Sequence, residues 1–367
     1  MINNNLSDNQ YFVNFIDRKY WKNKRVFVTG HTGFKGGWLC IFLNLLGAHV
    51  TGYSLKPSTK PSLFYRANIA KIVKKSIIGD IRDYNKLHTA IKKSKSTILF
   101  HLAAQPLVRY SYENPVETFS TNFNGTLNIL ESIRNNKAIK TSILITSDKV
   151  YDISKNKIFK EEDSLFGIDP YSSSKVCIEH LFYSYTKSFF SKQNSQRLAT
   201  VRAGNVIGGG DYSKDRLIPD IFRFLNKKKN IVIRYPKAVR PWQHVLEPLS
   251  GYLTLAQKLH MSKIKKLNPN WNFGPNLSSC KSVFYISSFF AKAMKKKVIV
   301  QGLKENNYKK ETNILRLNNS KAKTYLGWYP RWSLDKSLRN ILIWNQKIRN
   351  KNCLSLCHEQ IKEYLRS

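Results

Sequence analysis

The stretch RVFVTGHTGFKGGWL, residues 25–39, decides the fold. It joins a short apolar run to three glycines at intervals of three residues, Gly30, Gly33 and Gly36, and then to an apolar segment with helical spacing. Glycines between a strand and a helix permit a tight turn and a close approach of backbone to a diphosphate, while the helix N-terminus supplies N–H groups and a positive dipole. The sequence therefore predicts a dinucleotide site at the first strand-to-helix turn.

Beyond this turn, short apolar runs alternate with amphipathic segments as far as about residue 204. The apolar runs predict strands, and the segments between them predict helices near 36–46, 62–71, 83–94, 115–135 and 172–190. Strands that alternate with helices form right-handed crossovers and a parallel sheet. We therefore predict an α/β domain with a doubly wound parallel sheet of the Rossmann type.

The regular alternation ends after residue 203. The segments GNVIGGGD (204–211) and RYPKAVRPWQH (234–244) are rich in Gly and Pro and lie among shorter helical stretches. This change predicts a smaller α/β substrate-binding lobe over residues 204–367, after a dinucleotide-binding domain over residues 1–203. Ligands of such folds bind in the crevice beyond the carboxyl ends of the strands.

The chain is strongly basic, with 62 Lys and Arg against 23 Asp and Glu and a formal net charge of +39. Clustered cations bind nucleic-acid backbones by releasing counterions. Here the lysines are spread over the whole length, and runs such as 227–229 and 295–297 fall at predicted helix ends, where cations suit the dipole. We therefore predict a compositional bias and no nucleic-acid partner, with a positive field that attracts a small anionic substrate.

Cysteine count and hydropathy limit the class of protein further. The five cysteines are an odd number scattered along the chain, which favours reduced thiols: Cys40, Cys177, Cys280, Cys353 and Cys357. Cys353, Cys357 and His358 lack a second pair of ligands, so no metal site is predicted. Neither an apolar run of about 18 residues nor a leader-like start is present, so we expect a cytoplasmic protein without a membrane span.

The second predicted strand ends without the acidic residue that usually holds the ribose 2′-hydroxyl of NAD. Ser54 and Lys56 stand there, and Lys56 is compatible with the 2′-phosphate of NADP. Asp80, after the third strand, has two interpretations: it hydrogen-bonds the adenine amino group, or it caps its own loop. These residues predict a dinucleotide and leave the choice between NAD and NADP open.

Two polar segments follow, about twenty residues apart. TSDKVY (146–151) places Ser147, Asp148 and Lys149 directly after a buried apolar run, where a sheet meets ligand. Because adjacent strand residues point to opposite faces, a mere salt bridge between Asp148 and Lys149 is disfavoured. YSSSK (171–175) puts Tyr171 and Lys175 on one face of a helix, where an ammonium and an oxidised nicotinamide would both lower the phenol pKa from about 10.

These motifs resemble the extended short-chain dehydrogenase/reductase family and, within it, the nucleotide-sugar 4,6-dehydratases. The similar segments, in the family's order, are GHTGFKGGWL, HLAAQPLVRYSY, TSDKVY, DPYSSSK, RAGNVIGGGD, DRLIPD, RPWQHVLEPLSGYL and LGWYPRWSL. They span roughly residues 20–345. Lys149 stands where the members that act on dTDP-glucose and GDP-mannose carry Glu, so the resemblance is to the branch that acts on CDP-glucose.

The resemblance implies a lyase reaction with NAD⁺ regenerated in each cycle. Tyr171 is expected to take the proton from the sugar O4 as hydride leaves C4, with Ser147 on the same hydroxyl and Lys175 holding the phenolate and the nicotinamide ribose. Loss of water across C5 and C6 then needs an acid and a base. Asp148 is the expected acid. Lys149 is the expected base or enolate stabiliser, and as a base it needs burial or nearby positive charge to lower its pKa from about 10.4.

The resemblance also implies binding residues and partners. The expected cofactor residues are Gly30, Thr32, Gly33, Phe34, Gly36, Asp80, Ile81, Ala103 and Lys175. The expected contacts to the nucleotide and diphosphate of the substrate are Asn205, Arg216, Arg240 and His244, and the guanidinium groups suit phosphate. The long helices near 115–135 and 172–190 are expected to form a homodimer or homotetramer interface. The product is expected to feed deoxysugar synthesis for surface polysaccharide such as O-antigen.

Two alternatives stay open. Another nucleotide-sugar 4,6-dehydratase or a 4-epimerase would use the same frame, although epimerisation requires no elimination and leaves the acid and base after Ser147 unexplained. A catalytically silent NAD- or nucleic-acid-binding protein would instead use the positive charge, and salt-sensitive binding to duplex DNA without turnover would indicate it.

Overall fold

The computed structural model describes residues 16–190, 196–261, 269–301 and 315–367. The stretch MINNNLSDNQ at residues 1–10, on which the expectation of no leader rests, lies outside these ranges. The strands are β1 (Arg25–Thr29), β2 (His49–Ser54), β3 (Lys75–Ile78), β4 (Ile98–His101), β5 (Thr141–Ile145), β6 (Ile158–Phe159), β7 (Arg197–Ala203), β8 (Val206–Ile207), β9 (Ile231–Ile233), β10 (Val239–Pro241), β11 (Gln243–His244), β12 (Asn270–Phe273), β13 (Cys280–Ser282), β14 (Val298–Val300) and β15 (Arg316–Leu317).

The α-helices are α1 (Arg18–Trp21), α2 (Phe34–Leu45), α3 (Leu63–Arg66), α4 (Ile69–Ile72), α5 (Tyr84–Ser94), α6 (Val108–Glu113), α7 (Pro115–Phe119), α8 (Gly125–Arg134), α9 (Pro170–Phe189), α10 (Leu217–Asn226), α11 (Leu246–His260), α12 (Val283–Ala293), α13 (Leu334–Lys347) and α14 (Cys353–Arg366). Shorter helical turns are of the 3₁₀ type at Asp148–Val150, Ile153–Lys155 and Leu277–Ser279, and of the π type at Ser120–Asn124 and Ala322–Leu326.

Seven of the described strands form one parallel sheet in the order β12-β7-β5-β4-β1-β2-β3. Val26 of β1 pairs with Val50 of β2 on one side and with Ile98 of β4 on the other. The strand order therefore reverses between β1 and β4, which is the switch point at which ligands of open parallel sheets bind. The predicted doubly wound fold is confirmed.

Two predicted helices differ from what the sequence indicates. The segment near 62–71 is divided into α3 and α4, because Asn68 between them adopts a left-handed φ of 51°. The segment near 115–135 runs continuously from α7 to α8, but its middle turn, Ser120–Asn124, is π-helical. Neither the left-handed residue nor the wider turn has a signal in the spacing of apolar residues.

Apolar side chains fill both faces of the sheet. On one face α2 and α11 pack on β1 and β5 through residues such as Trp38, Leu249 and Ile143. On the other face α5, α8 and α9 pack through residues such as Leu87 and Ile129. The alternation of apolar side chains along each central strand thus buries both faces, as a parallel sheet requires.

A further apolar cluster lies beyond the sheet, between α10, α12, α13 and β9. It belongs to the region predicted as the substrate-binding lobe. However, β12 and α11 also come from beyond residue 204, and they complete the sheet and cover one of its faces. The chain therefore returns to the sheet after the predicted boundary at residues 203 and 204, a boundary that stays a prediction.

Candidate active site

The glycine loop between β1 and α2 lies against the loop that follows β4. Gly30 has a φ of 75°, a left-handed conformation that favours glycine, and a Cβ there would lie 2.7 Å from the backbone nitrogen of Ala103. A Cβ on Gly36 would collide with the carbonyl oxygen of Gly30. These two glycines therefore permit a turn that residues with side chains would not form.

The N-terminus of α2 has an open first turn. Gly33 is the N-cap residue, no side-chain hydrogen bond caps the helix, and the first turn contains no acidic residue. Uncapped N–H groups and the positive end of a helix dipole bind phosphate groups. The loop thus fits the diphosphate of a dinucleotide, in agreement with the chemistry that the glycine spacing predicts.

Thr32 and Asp80 flank this loop, where ribose and adenine are expected. The hydroxyl groups of Thr32 and Ser54 lie 2.9 Å apart, and Thr32 donates to the carbonyl of Leu55 at 2.9 Å. Asp80 accepts the backbone N–H of Arg82 at 2.8 Å and a guanidinium N–H of Arg82 at 2.6 Å, and this pairing lowers the pKa of the carboxyl. Asp80 therefore caps its own loop, and its contact to adenine stays a prediction.

Three other expected cofactor residues follow the carboxyl ends of β1, β3 and β4. Phe34 begins α2 and is half-buried, with its ring against Gly208. Ile81 is buried and lies where a side chain at Gly125 would be. The backbone N–H of Ala103 donates to Thr29 Oγ at 3.1 Å. All three lie at the edge of the sheet on which the switch point opens.

Ser147 follows β5 and is buried. It is the N-cap of the 3₁₀ turn Asp148–Val150, and its oxygen accepts the backbone N–H of Lys149 at 3.2 Å. Residues 148–150 therefore form a turn and do not continue the strand. The expectation that Asp148 and Lys149 point to opposite faces of a sheet assumed a strand at these residues, and that assumption is wrong. The Ser147 hydroxyl also lies 3.3 Å from Asp148 Oδ1.

Tyr171 lies in the first turn of α9, which begins at Pro170 with a capping box between Asp169 and Ser172. The cap fixes the start of the helix, so Tyr171 is held at the carboxyl end of β5. There its phenol lies beside Ser147, which acts to lower the pKa of the phenol. The structure thus brings together the serine and the tyrosine that the two motifs supply.

The phenol of Tyr171 is less acidic than expected. Burial, with a smaller effect of the nearby Asp148, raises its pKa to about 12, although Ser147 and Arg216 oppose this. Lys175 is one helical turn away and donates to the carbonyl of Ile145 at 3.4 Å. Burial and the neighbouring Lys35 lower the pKa of the Lys175 amine to about 7. Burial of the phenol therefore outweighs the lowering predicted from a neighbouring ammonium.

The Asp148 carboxyl is protonated more easily than an ordinary aspartate. It is 4% exposed, and burial raises its pKa to about 6, although Lys149, Ser147, Arg240 and Lys35 each lower it. Its Oδ2 has no hydrogen-bond partner among the described residues. A carboxyl group with a pKa near neutrality is suited to general acid catalysis. Asp148 therefore has the property that the elimination requires of its acid.

Two side chains face this cluster that the sequence analysis did not select. Lys35 comes from the glycine loop and interacts with Asp148. Tyr252 comes from α11, is fully buried, and interacts with Asp148 and Tyr171. Lys35 had a signal in the sequence, because a cation in the first turn of a helix opposes the dipole. Tyr252 lies in the similar segment RPWQHVLEPLSGYL, but nothing in that segment singles it out, because α11 joins the site only through the tertiary fold.

A buried ion pair between Arg202 and Glu179 connects α9 to the residues next to Ser147. Glu179, one turn beyond Lys175, accepts hydrogen bonds at 2.9 Å from Nε and Nη2 of Arg202 on β7. Glu179 also accepts from Thr146 at 2.6 Å, the residue before Ser147. Both partners of the ion pair are 2% exposed. The pair therefore ties α9 to the strands that carry the reactive groups.

The π-helical turn contributes a second support. Its Asn122 accepts the backbone N–H of Gln105 at 2.8 Å and donates to the carbonyl of the same residue at 3.2 Å. It also donates to Ser174 at 2.9 Å, a residue of the YSSSK segment. Asn122 therefore joins the loop after β4 to α9, a role that its sequence position alone does not indicate.

The four expected substrate residues have different surroundings. Arg216 pairs with Asp211 at 3.0 Å and acts electrostatically on Tyr171, while the buried Arg240 acts on Asp148. The structure thus places both guanidinium groups in the field of the catalytic cluster. Asn205 accepts a backbone N–H of the next strand, β11, through its carbonyl. His244 is fully buried between Trp38 and Trp332, which lowers its pKa to about 3.

Metal sites, disulfides and membrane-spanning helices are three further features that would indicate a function. Across the described ranges, no group of three or more His, Cys, Asp or Glu side chains is arranged to bind a metal ion. The five cysteines form no disulfide. None of the helices that the structure describes combines the length and the apolarity needed to cross a bilayer. The cluster around Ser147 and Tyr171 is therefore the candidate active site.

A dinucleotide loop at the switch point, followed by a serine and a tyrosine that lie beside each other after β5, defines the class of short-chain dehydrogenases and reductases. The family model described as GDP-mannose 4,6 dehydratase matches residues 27–341, and the chain belongs to this family.

Individual relatives narrow the comparison. The chain is 45% identical over 363 residues to a CDP-glucose 4,6-dehydratase of Salmonella typhimurium, covering 95% of this chain and 98% of the relative. It is 24% identical over 342 residues to a human dTDP-D-glucose 4,6-dehydratase, covering 88% and 89% of the two chains.

Solved structures agree with the fold. A dTDP-glucose 4,6-dehydratase of Bacillus anthracis, in complex with NAD, has a TM-score of 0.73 at 20% identity and covers 91% of this chain and 99% of its own. A UDP-glucose 4-epimerase of Thermotoga maritima, with UDP-glucose, has a TM-score of 0.74 at 19% identity, with 89% and 99% covered. At this identity the likeness concerns the fold alone.

Proposed function

We propose that the protein is an NAD-dependent lyase that converts CDP-glucose to CDP-4-keto-6-deoxyglucose. The observation that carries the proposal is the buried Asp148, with a pKa of about 6, whose Oδ1 lies 3.3 Å from the Ser147 hydroxyl and which acts electrostatically on Tyr171. A tyrosine and a serine serve any oxidation at a sugar hydroxyl, whereas a protonated carboxyl next to them serves an elimination. The identity of 45% to a CDP-glucose 4,6-dehydratase along nearly the whole chain supports the substrate.

In the oxidation step, Ser147 and Tyr171 hold the sugar O4 hydroxyl between them. Tyr171 acts as a phenolate, which the positive charge of Lys175 and Arg216 stabilises, and it accepts the O4 proton to become a neutral phenol. NAD⁺ would be held by the glycine loop and the N-terminus of α2, and it would supply the hydride acceptor for C4 and the hydride donor for C6. Burial of the cluster excludes water and strengthens each of these electrostatic interactions.

In the elimination step, the 4-ketone has made the C5 proton acidic. Lys149 removes this proton or stabilises the enolate, and Asp148 donates its proton to the departing O6 hydroxyl. The C6–O6 bond breaks and water leaves, so the carboxyl must begin the step protonated. A pKa of about 6 keeps a useful fraction of Asp148 protonated near neutral pH, which an aspartate of ordinary pKa would not achieve.

The nucleotide and diphosphate are assigned to the second lobe. Arg216 and Arg240 offer guanidinium groups for phosphate oxygens, and the excess of positive charge over the chain attracts the anionic substrate. Asn205 is assigned a hydrogen bond in the same region. His244 also remains assigned there, with its buried Nε2 unpartnered among the described residues.

The setting of the enzyme is proposed on the same basis. We assign it to the cytoplasm, in the supply of deoxysugars for surface polysaccharide such as O-antigen. A homodimer or homotetramer is proposed through the helical segments 115–134 and 170–189, which carry exposed apolar side chains such as Val116 at 81% and Tyr183 at 63%. We also propose that residues 1–203 form the dinucleotide-binding domain and residues 204–367 form the substrate-binding lobe.

The experiment that tests the function is turnover of four nucleotide sugars. The purified protein is incubated with NAD⁺ and separately with CDP-glucose, dTDP-glucose, UDP-glucose and GDP-mannose, and each product is weighed by mass spectrometry. We expect loss of one water from CDP-glucose alone, without accumulation of NADH. Preference for another nucleotide would keep the chemistry but replace the substrate. A change of configuration without loss of water would indicate an epimerase, and silence with all four would refute an enzyme of this class.

A further inference from the structure

Three polar side chains converge beside the catalytic serine and tyrosine: Lys35, Asp148 and Tyr252, which we call the acid pocket. The Lys35 ammonium lies 6.0 Å from the centre of the Tyr252 ring. Asp148 acts electrostatically on both residues, and Tyr171 acts on Tyr252. The three side chains come from α2, from the turn after β5 and from α11, so the tertiary fold alone assembles them.

The polar atoms of the acid pocket are incompletely paired. Among the described residues, neither Oδ2 of Asp148 nor the hydroxyl of Tyr252 has a hydrogen-bond partner, although Asp148 is 4% and Tyr252 is 0% exposed. Leaving a buried polar group unpaired costs about 1–3 kcal/mol. Asp148 Oδ2 is a carboxyl oxygen, and Tyr252 offers an O–H donor that interacts electrostatically with Asp148. Two such unpaired groups indicate a ligand that both donates and accepts hydrogen bonds.

Lys35 adds a cation at a position where the helix disfavours it. It is the second residue of α2, and the dipole of a helix opposes positive charge in its first turn. No carboxylate among the described residues lies within ion-pair distance of its ammonium. Arg216 and Lys175 repel it, whereas Asp148 attracts it. The lysine therefore faces a place where negative charge is stabilised.

We infer that Lys35 and Tyr252 are catalytic residues for the elimination, and that the acid pocket holds the hydroxyl that the reaction expels. The inference rests on the proposed function. In the step, Lys149 takes the C5 proton, the C5–H electrons form the C5–C6 double bond, and the C6–O6 bond breaks with its electrons on oxygen. The Asp148 proton passes to that oxygen to give water. The Tyr252 O–H and the Lys35 ammonium donate to the oxygen while it gains charge.

The physical reason is preorganisation. Donors fixed in a buried site stabilise charge where it develops in the transition state, and they need no rearrangement at that moment. Tyr252 is held by its packing on Phe273, with ring centres 5.6 Å apart, so its hydroxyl has little freedom. The same two donors contribute little while O6 is a neutral hydroxyl. Their removal is therefore expected to slow the elimination and not the oxidation.

The test uses the holoenzyme with Tyr252→Phe and, separately, Lys35→Met. Each variant is mixed rapidly with CDP-glucose, and the absorbance of reduced nicotinamide is followed as it rises on oxidation at C4 and falls on return of hydride to C6. We expect an unchanged rise and a fall at least about tenfold slower, because loss of one donor to a developing oxyanion costs roughly 10²–10³ in rate. Reduced cofactor then accumulates.

A matched pair of control variants exists in the same chain. Lys24 lies 4.9 Å from the centre of the Tyr20 ring, and the Tyr20 hydroxyl is also buried without a partner among the described residues. Tyr20→Phe and Lys24→Met therefore repeat the two chemical changes away from Asp148. Both controls are expected to match the unaltered enzyme in the rise and in the fall of the signal.

A pH profile separates this role from a merely structural one. Lys35 lowers the pKa of Asp148, so Lys35→Met should shift upward the pH above which the fall of the signal slows. A structural defect would lower both phases together without moving that pH. The charged and titratable groups that face Asp148 in this profile are Lys35, Lys149, Tyr171, Arg240 and Tyr252.

Several results would overturn the inference. They are a slower rise with an unchanged fall, an equal slowing of both phases, or variants that behave like the unaltered enzyme. Failure of the proposed function has a different signature, since the unaltered enzyme would then give no dehydrated product from CDP-glucose, and both proposals would be removed together.

Discussion

Replacing Asp148 by asparagine should make the protein more stable and nearly inactive. Burial raises the pKa of this carboxyl from 3.8 to about 6, so the native state binds the proton more tightly than the unfolded chain. The stability of the unaltered protein is therefore complete at low pH, falls as the pH rises from about 4 to 6, and stays constant above. Asparagine carries no charge and avoids this loss.

The magnitude follows from the two pKa values. At about 1.4 kcal/mol for each tenfold change in acidity, the buried charge costs about 3 kcal/mol at pH 8 and about half of that at pH 5. For 367 residues, an unfolding entropy of about 2.1 cal/mol/K per residue converts 3 kcal/mol to about 4 °C in Tm. The same substitution removes the general acid, and the rate should fall by about 10²–10⁴.

Thermal unfolding at pH 8 and pH 5, followed by circular dichroism, measures the stability, and loss of water from CDP-glucose measures the activity. Asp80→Asn is the control, because Arg82 lowers the pKa of Asp80 and the change in stability should be smaller and opposite in sign. A Tm for Asp148→Asn that is unchanged or lower at pH 8, or a difference that does not shrink toward pH 5, would refute the reasoning about burial.

Two further predictions concern the frame of the site. Arg202→Met leaves the buried Glu179 without its ion-pair partner and should lower the free energy of unfolding, measured with urea, by about 3–5 kcal/mol. Arg134→Met, in a more exposed ion pair, should lower it by less than about 1 kcal/mol. Equal losses would contradict the role of burial. Gly36→Ala should weaken NAD⁺ binding at least about tenfold by fluorescence titration, and Gly33→Ala, where a Cβ would lie 3.4 Å from its nearest neighbour, should weaken it less. Equal affinities would show that the loop tolerates the collision at Gly36.

Much of the fold was accessible from local patterns. The run at residues 25–29 and the glycines after it predict β1 and the turn into α2, and the alternation that follows predicts six of the seven strands of the sheet. The seventh, β12, lies where no regular alternation exists. It was not predicted because β7 alone, by pairing Val201 with Trp271, makes that short segment a strand.

Only part of the site was predicted, because local patterns report only some of its residues. Ser147 and Tyr171 belong to short motifs whose spacing is visible in the sequence, and the structure places them beside each other. Asn122 belongs to no such motif, and Tyr252 lies in the segment RPWQHVLEPLSGYL without a spacing that assigns it a role. Their roles depend on which face of a helix meets the carboxyl edge of the sheet, and the spacing of apolar residues does not report this for a polar side chain.

By itself, the sequence determined the doubly wound architecture, the dinucleotide turn and the residue types that can perform an oxidation and an elimination, because these follow from backbone geometry and from side-chain chemistry. The tertiary structure decided the protonation. Tyr171, Asp148 and Lys175 have pKa values of about 12, 6 and 7 because burial disfavours their charged forms and because Lys35 and other distant residues are brought beside them. Burial and proximity are properties of the folded chain, so no local pattern contains them.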